Sequence, residues 1–343
     1  MAHSLRRFAL LASLACAPLA AGQVERNGTL PGPLPLFPSD NWWNANVSTA
    51  PLDTNSAAYI NYIGVNRPLH PDFGGDADVF PEIYGMIYIV VPGTQPLQQV
   101  TFVEYPSQSD AGAPGRPPGY PIPAEARTQV KWIEGGYPAS DPIAAPANGD
   151  RHMLIVDRDN RLLFELYHAR WNALLSRWEA GSGAAWPLDS NYRRPEGWTS
   201  ADASGMAILP GLIRWDEVFG PDPIKHAFRF TVRNTNGHVY PASHTAGGTS
   251  GALPMGARLR LKAGKDISGF PAYVQKIFQA MKTYGLIVAD NGSDMYIQGT
   301  YDIRWDNDVL NPAFGALRAS DFEVVQLGWQ HPTPVELQSF SVD

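Results

Sequence analysis

The stretch "DRHMLIVDRDNRLLFELYHARW", residues 150–171, decides how the chain folds. Two apolar-rich runs flank Asp159-Asn160, which suits the two-residue turn of a β-hairpin. That turn sets the register: Arg158 opposes Arg161, Leu154 opposes Glu165, and His152 opposes Tyr167. Successive strand side chains point to opposite faces. Met153, Ile155, Leu162, Phe164 and Leu166 therefore share one wholly apolar face, which must be core. The other face carries His152, Leu154, Val156, Leu163, Glu165 and Tyr167, apolar near the turn and polar at the far end. A carboxyl beside a histidine and a tyrosine on a half-apolar face is a place for a raised pKa, and such a face is what a sugar cleft looks like. The competing reading is a second buried face on which Glu165 pairs with an arginine. A one-residue slip of register would exchange the two faces.

Outward from this hairpin the same period recurs. "YGMIYIVV" (84–91) and "LQQVTFVEY" (97–105), joined by "PGTQP", read as two strands, and more are expected at 177–188, 225–234 and 257–263. One helix is predicted in "SGFPAYVQKIFQAMKTYG" (268–285): Val274, Ile277, Phe278 and Met281 share a face, Pro271 fits the first turn and Gly285 the position after the last. "LIVADNGSDMYIQG" (286–299) reads as strand, Asn-Gly turn, strand. The class expected is β-rich α+β, an antiparallel, jelly-roll-like β-sandwich with one or two packed helices.

The N-terminus has the layout of a secretory signal peptide: Arg6 and Arg7, an apolar run from Phe8 to Leu14, then small residues, with cleavage expected before Gln23. The run is too short to span a bilayer. Cleavage would remove Cys16, the only cysteine, and with it any disulfide or thiol chemistry. It would also remove Arg6 and Arg7 from 26 basic residues, leaving 24 against 33 acidic ones, a net charge of −9. An acidic chain of this kind is not expected to bind nucleic acid or anionic lipid. The expected organisation is a signal peptide (1–22), a proline-rich extended leader (23–38) pinned by Trp42 and Trp43, and one β-rich catalytic-type domain (39–343). The Pro/Gly-rich stretch 107–149 is too long for an ordinary connection and reads as a lid within that domain. The ten tryptophans exceed what a core needs and favour aromatic binding surfaces.

The motifs "GDRHMLIVDRDNRLLFELY", "GWTSADASG" and "YGLIVADNGSDMYIQG" resemble those of a family of secreted, functionally uncharacterised, mainly bacterial proteins. The resemblance runs from about Pro38 to Val325. It implies one continuous domain and export, and brings no catalytic residue with it.

Three carboxyl-bearing motifs are candidates for chemistry. Glu165 is the first. Asp202 in "RRPEGWTSADASG" (193–205) sits among small residues that allow close approach, with Trp198 nearby to stack on a sugar; a capped turn explains the same pattern. Asp290 ends an apolar strand in "ADNGSDMY" (289–296), where Asn291-Gly292 is also a good turn on structural grounds alone. The histidines at 152, 168, 226, 238 and 244 show no metal-ligand spacing, so no metal site is expected. Asp306, Asn307 and Asp308 cluster as a structural calcium site would, without an EF-hand loop. "GGTSG" (247–251) has Thr249 where a serine hydrolase needs its nucleophile.

These features predict a secreted or periplasmic, monomeric carbohydrate-active enzyme with a polysaccharide or oligosaccharide partner. A glycoside hydrolase is expected first, with Glu165 as proton donor, Asp202 as second carboxylate and Asp290 in reserve. His152, Tyr167, Trp198 and His244 would contact substrate. A polysaccharide lyase would instead use Tyr167 with His152 or His244 as acid and base. A non-enzymatic carbohydrate-binding or cell-envelope protein would turn its carboxylates to solvent or to arginines.

Overall fold

The computed structural model describes residues 22–110, 112, 117–141 and 149–330. The expected signal peptide therefore lies, but for Gly22, outside the described residues. The chain is β-rich α+β, with three mixed sheets and five α-helices among the described residues. No helix among them is long and apolar enough to cross a membrane.

The hairpin forms with the expected register. Strand Met153–Asp157 runs antiparallel to Leu162–Tyr167, with Leu154 opposite Glu165 and Met153 opposite Leu166. It is the centre of a five-stranded sheet in the order Glu25–Arg26, Tyr88–Val91, Met153–Asp157, Leu162–Tyr167, Ser182–Pro187. Tyr88–Val91 joins Met153–Asp157 in parallel, and does not pair with Val100–Phe102. The latter belongs to a small third sheet with Arg177–Ala180 and Arg170–Asn172. The leader is part of the body: Glu25–Arg26 is an edge strand, and Leu30, Leu36 and Phe37 are buried beside Trp42 and Trp43.

The second large sheet has six strands in the order Phe322–Val324, Arg258–Leu261, Leu286–Asn291, Phe228–Val232, Tyr296–Gln298, His70–Asp72. The strands at 286–291 and 296–298 are present but do not form the expected Asn-Gly hairpin. Phe228–Val232 lies between them, parallel to the first and antiparallel to the second. The linking residues 292–295 pass over the end of that middle strand, where Gly292 N donates to Val232 O and Met295 N to Thr231 O. A bulge between Phe230 and Thr231 shifts the register, so that Thr231 opposes Asp290. Helix Ala272–Thr283 covers the outer face of this sheet with Val274, Ile277, Phe278 and Met281, all buried against Phe228, Phe230 and Leu259. Pro271 precedes it as N-cap, and Gly285 follows its C-cap with φ +77°, a left-handed conformation that favours glycine. Asp306 caps helix Asn307–Gly315 through its carboxylate on Asp308 N, which gives the acids at 306–308 a structural use.

The two large sheets pack face to face. Leu154, Val156, Leu163 and Trp186 of the first meet Ile287 and Ala289 of the second, with Trp43 and residues 206–209 between them. The opposite face of the first sheet, with Met153, Ile155, Phe164 and Leu166, is covered by the third sheet and by Tyr120, Ile122, Ala126 and Ile133. Those last four come from the stretch 107–149, so its described part packs on the sheet as a wall. The face of the hairpin that looked half wet is thus an inter-sheet layer, and the site is built where that layer turns polar.

Candidate active site

The polar end of the inter-sheet layer is a chain of charged groups. Arg229 points inward from the second sheet because it alternates with Phe228 and Phe230, which face the helix side. Its Nε and Nη2 donate to the two carboxylate oxygens of Asp202 at 2.8 and 2.9 Å, and Nη2 also reaches Asp290 Oδ2 at 3.1 Å. On the first sheet, His152 Nδ1 lies 2.7 Å from Glu134 Oε2, and its Nε2 lies 3.0 Å from the carbonyl oxygen of Ala201. Both partners only accept, so both ring nitrogens carry hydrogen and the ring is an imidazolium. Burial works against that charge, but the Glu134 carboxylate outweighs it and lifts the His152 pKa to about 9.

All of these charged side chains but Asp202 border a cleft of about 470 Å³ between the sheet ends. His152 and Met86 line it from the first sheet and the segment beside it, Arg229, Thr231 and Asp290 from the second, and Glu134 from the loop before the hairpin. Asp290 keeps 25 % of its side chain accessible, and so does Glu134. Their environments differ in sign. Burial raises the Asp290 carboxyl, Arg229 opposes it and Asp202 adds to it, leaving a pKa of about 6. Burial also pushes Glu134 up, but the charge and hydrogen bonds of His152 prevail and hold it below the usual carboxylate range. One cleft therefore holds one carboxyl inclined to keep its proton and one inclined to lose it.

A second polar group shares the wall. Tyr84 Oη lies 2.7 Å from His70 Nε2, and the His70 ring packs 4.4 Å from that of Tyr296. Burial, then the charge and hydrogen bond of Asp72, push the Tyr84 phenol up. Burial lowers His70, against the pull of Asp72.

The expected pair, Glu165 and Asp202, is not a cleft pair. Glu165 is fully buried: its Oε1 and Oε2 each take Ile208 N at 2.9 Å, and Oε1 also takes Leu209 N at 2.9 Å. It caps the turn Leu209–Gly211, whose first amides have no partner within the turn. Burial raises its pKa to about 7 against those two amides. The expected elevation is there, but the carboxyl is sealed from the cleft. Asp202 is equally sealed, with its side chain 0 % exposed beneath Arg229.

Of the expected substrate contacts, only His152 borders the cleft, and its ring nitrogens are committed. Tyr167 stacks on His168 at 3.9 Å, Trp198 lies 5.3 Å from the Arg194 guanidinium, and His244 Nδ1 meets the Ala203 carbonyl oxygen at 2.8 Å; none of the three lines the cleft. Of the three expected acids, Asp290, held in reserve, is the one that lines the cleft. Among the described residues no three histidine, cysteine or acidic side chains gather as metal ligands.

The residues that sequence reasoning missed are Glu134, Arg229, Tyr84 and His70. Glu134 had a signal in "WIEGGY", an acid between a buried isoleucine and two glycines. Arg229 was visible as the polar member of "FRFTV", but its face looked solvated because the sheet that covers it is remote in sequence.

Compared with protein-family models, with curated proteins and with solved structures, the chain matches none. The reading of the site rests on its own geometry.

Proposed function

We propose that the protein is an exported carbohydrate-active enzyme, a glycoside hydrolase in which Asp290 is the proton donor and Glu134 the ionised partner. The observation that carries this reading is the pair of carboxyls on one cleft whose surroundings drive their proton affinities apart, the pattern that separates acid from base in two-carboxyl enzymes. Asp290 would protonate the leaving glycosidic oxygen. Glu134 would activate water or attack the anomeric carbon. Thr231, Ser293, Asn291 and Gln298 bring hydroxyl and amide groups to the same cleft, suited to sugar hydroxyls. The signal-peptide layout of the N-terminus supports action outside the cytoplasm.

The test is a screen of the chain from Gln23 onward against neutral and acidic polysaccharides, read by release of reducing ends, with Asp290→Asn and Glu134→Gln alongside. Cleavage by the wild type that both variants abolish is the expected result. A wild type that cleaves no glycosidic bond, or variants that cleave as well as it does, would overturn the reading.

One observation favours a second reading. Tyr84, which lines the cleft, and its partner His70, which does not, form an acid–base couple of the kind a polysaccharide lyase uses, at residues other than the expected Tyr167 with His152 or His244. Under that reading the product carries an unsaturated, ultraviolet-absorbing end, and Tyr84→Phe rather than Asp290→Asn removes activity.

A further inference from the structure

The cleft does not end at Tyr296. Gly292, Ser293 and Tyr296 also form one wall of an adjoining pocket of about 590 Å³. Two arginines, Arg67 and Arg233, line that second pocket around a single acid, Asp294. Asp294 is nearly buried, with 6 % of its side chain exposed, and its two oxygens are taken up by Arg233: Oδ1 by the backbone amide at 2.8 Å, Oδ2 by Nε at 2.7 Å and Nη2 at 2.6 Å. Arg67 Nε stands off at 4.0 Å from the same Oδ2 and keeps 44 % of its side chain accessible. Two guanidinium groups share one carboxylate, so the pocket keeps a net positive charge in a protein whose overall charge is −7. A guanidinium presents a planar fork that fits carboxylate and sulfate oxygens.

We propose that this pocket is a subsite for an anionic substituent, a carboxylate or a sulfate ester, on the sugar next to the one being cleaved. The inference rests on the saccharide reading of the cleft and adds the class of saccharide. Arg67 is the group that makes the contact, because Arg233 is already committed to Asp294. The shared wall, in particular the Tyr296 ring, carries the chain of sugars from one pocket to the other.

The experiment is isothermal titration of the chain from Gln23 onward, and of Arg67→Gln, with oligogalacturonate (carboxylate only), κ-carrageenan oligosaccharide (sulfate only) and cello-oligosaccharide (neutral) of equal length. The expected result is that one anionic series binds the wild type about ten-fold more tightly than the neutral one, and that Arg67→Gln removes that preference while leaving neutral binding unchanged. Which anionic series is preferred separates carboxylate from sulfate. Because Arg67 is half-exposed and lies outside the bidentate pair, Arg67→Gln is expected to keep the wild-type melting temperature. Arg233→Gln is the second variant; it leaves the Asp294 carboxylate to draw Arg67 away from the ligand, so it should also remove the anionic preference, and it should lower the melting temperature by stripping Asp294. Equal binding of neutral and anionic oligosaccharides, or anionic binding that Arg67→Gln does not change, overturns the subsite and leaves the saccharide reading standing. Binding of no saccharide of any charge overturns both.

Discussion

Asp202 and Asp290 both accept hydrogen bonds from the Arg229 guanidinium, one from inside the sheet sandwich and one from the edge of the cleft. Asp202 takes two bonds and has no accessible surface. Asp290 takes one, at 3.1 Å, and keeps a quarter of its side chain accessible. The inner acid neutralises the arginine, and its negative charge then works on the outer one. The arginine's pull on Asp290 is thereby blunted, and burial raises the Asp290 carboxyl to about 6. A residue sealed from the cleft thus adds, after burial, to the proton affinity of one that lines it. Under the proposed function Asp202 would be a positioning residue, and the two aspartates should respond to substitution in different currencies.

The sharpest break would come from Asp290→Asn. It keeps the volume and removes the proton, so kcat is expected to fall by about 10²–10⁴, the usual range for loss of a general acid. The midpoint of urea unfolding should stay close to that of the wild type. The wild-type kcat/KM should fall as pH rises through about 6, where Asp290 gives up its proton. Its acid limb should lie below the usual carboxylate range, where Glu134 is held. Asp202→Ala should do the reverse. It leaves the Arg229 guanidinium buried against Asp290 alone, and breaking a buried pair in this way costs about 3–5 kcal/mol. That loss is read by urea unfolding. An Asp202→Ala protein of wild-type stability would dissolve the distinction between the two acids.

Much of this arrangement was legible in the sequence, and the rest was hidden for a physical reason. The period-two pattern of residues 150–171 gave the hairpin, its register and its faces, because local alternation is set by the strand itself. Val274, Ile277, Phe278 and Met281 gave the helix face for the same reason. What alternation does not carry is what covers a face. The polar side of the hairpin, with Glu165, and the polar side of Phe228–Val232, with Arg229, each look half solvated alone. In the fold they are laid against one another across a distance of more than sixty residues. Both strands around Asn291-Gly292 were legible too, and so was a strand at 225–234, but not the insertion of that strand between the other two, because the pairing joins residues far apart in the chain. Glu165 was legible as an acid with a raised pKa, and not as the cap of a turn at 209–211 that only the tertiary fold brings to it.

Glu165 extends the comparison to a third carboxyl, buried with no cation bonded to it among the described residues. Glu165→Ala leaves Ile208 N and Leu209 N without an acceptor in the interior, at a cost of about 2–4 kcal/mol for two unsatisfied donors. The penalty should depend on pH. Its folded pKa of about 7 lies above the ordinary value of 4.5, so its contribution is full below about 4.5 and is lost as pH rises through 7. Urea unfolding at pH 4.5 and pH 8 should therefore show a larger gap between wild type and Glu165→Ala at the lower pH. A gap that widens toward pH 8 would mean that the carboxylate, and not the acid, is the buried form.

His152 and Glu134 form the mirror of the Asp202–Arg229 pair on the opposite sheet, with the cation inside and the acid at the cleft. The imidazolium exists because both acceptors around it lack hydrogens, so its stabilisation must disappear when the ring loses its proton. The folded pKa of about 9 lies above the ordinary 6.5. The contribution is then complete below about 6.5 and falls away as pH rises through 9, with a size on the order of 3 kcal/mol from the shift in proton affinity. Wild-type stability measured by urea should decline between pH 7 and pH 9.5. Glu134→Gln removes the charge that holds the proton, so it should be less stable at pH 7 and nearly flat over the same interval. Parallel declines in the two proteins would assign the slope to other groups. They would also leave Glu134 without the cation that keeps it ionised, and the two sides of the cleft would no longer differ in the way the proposed chemistry requires.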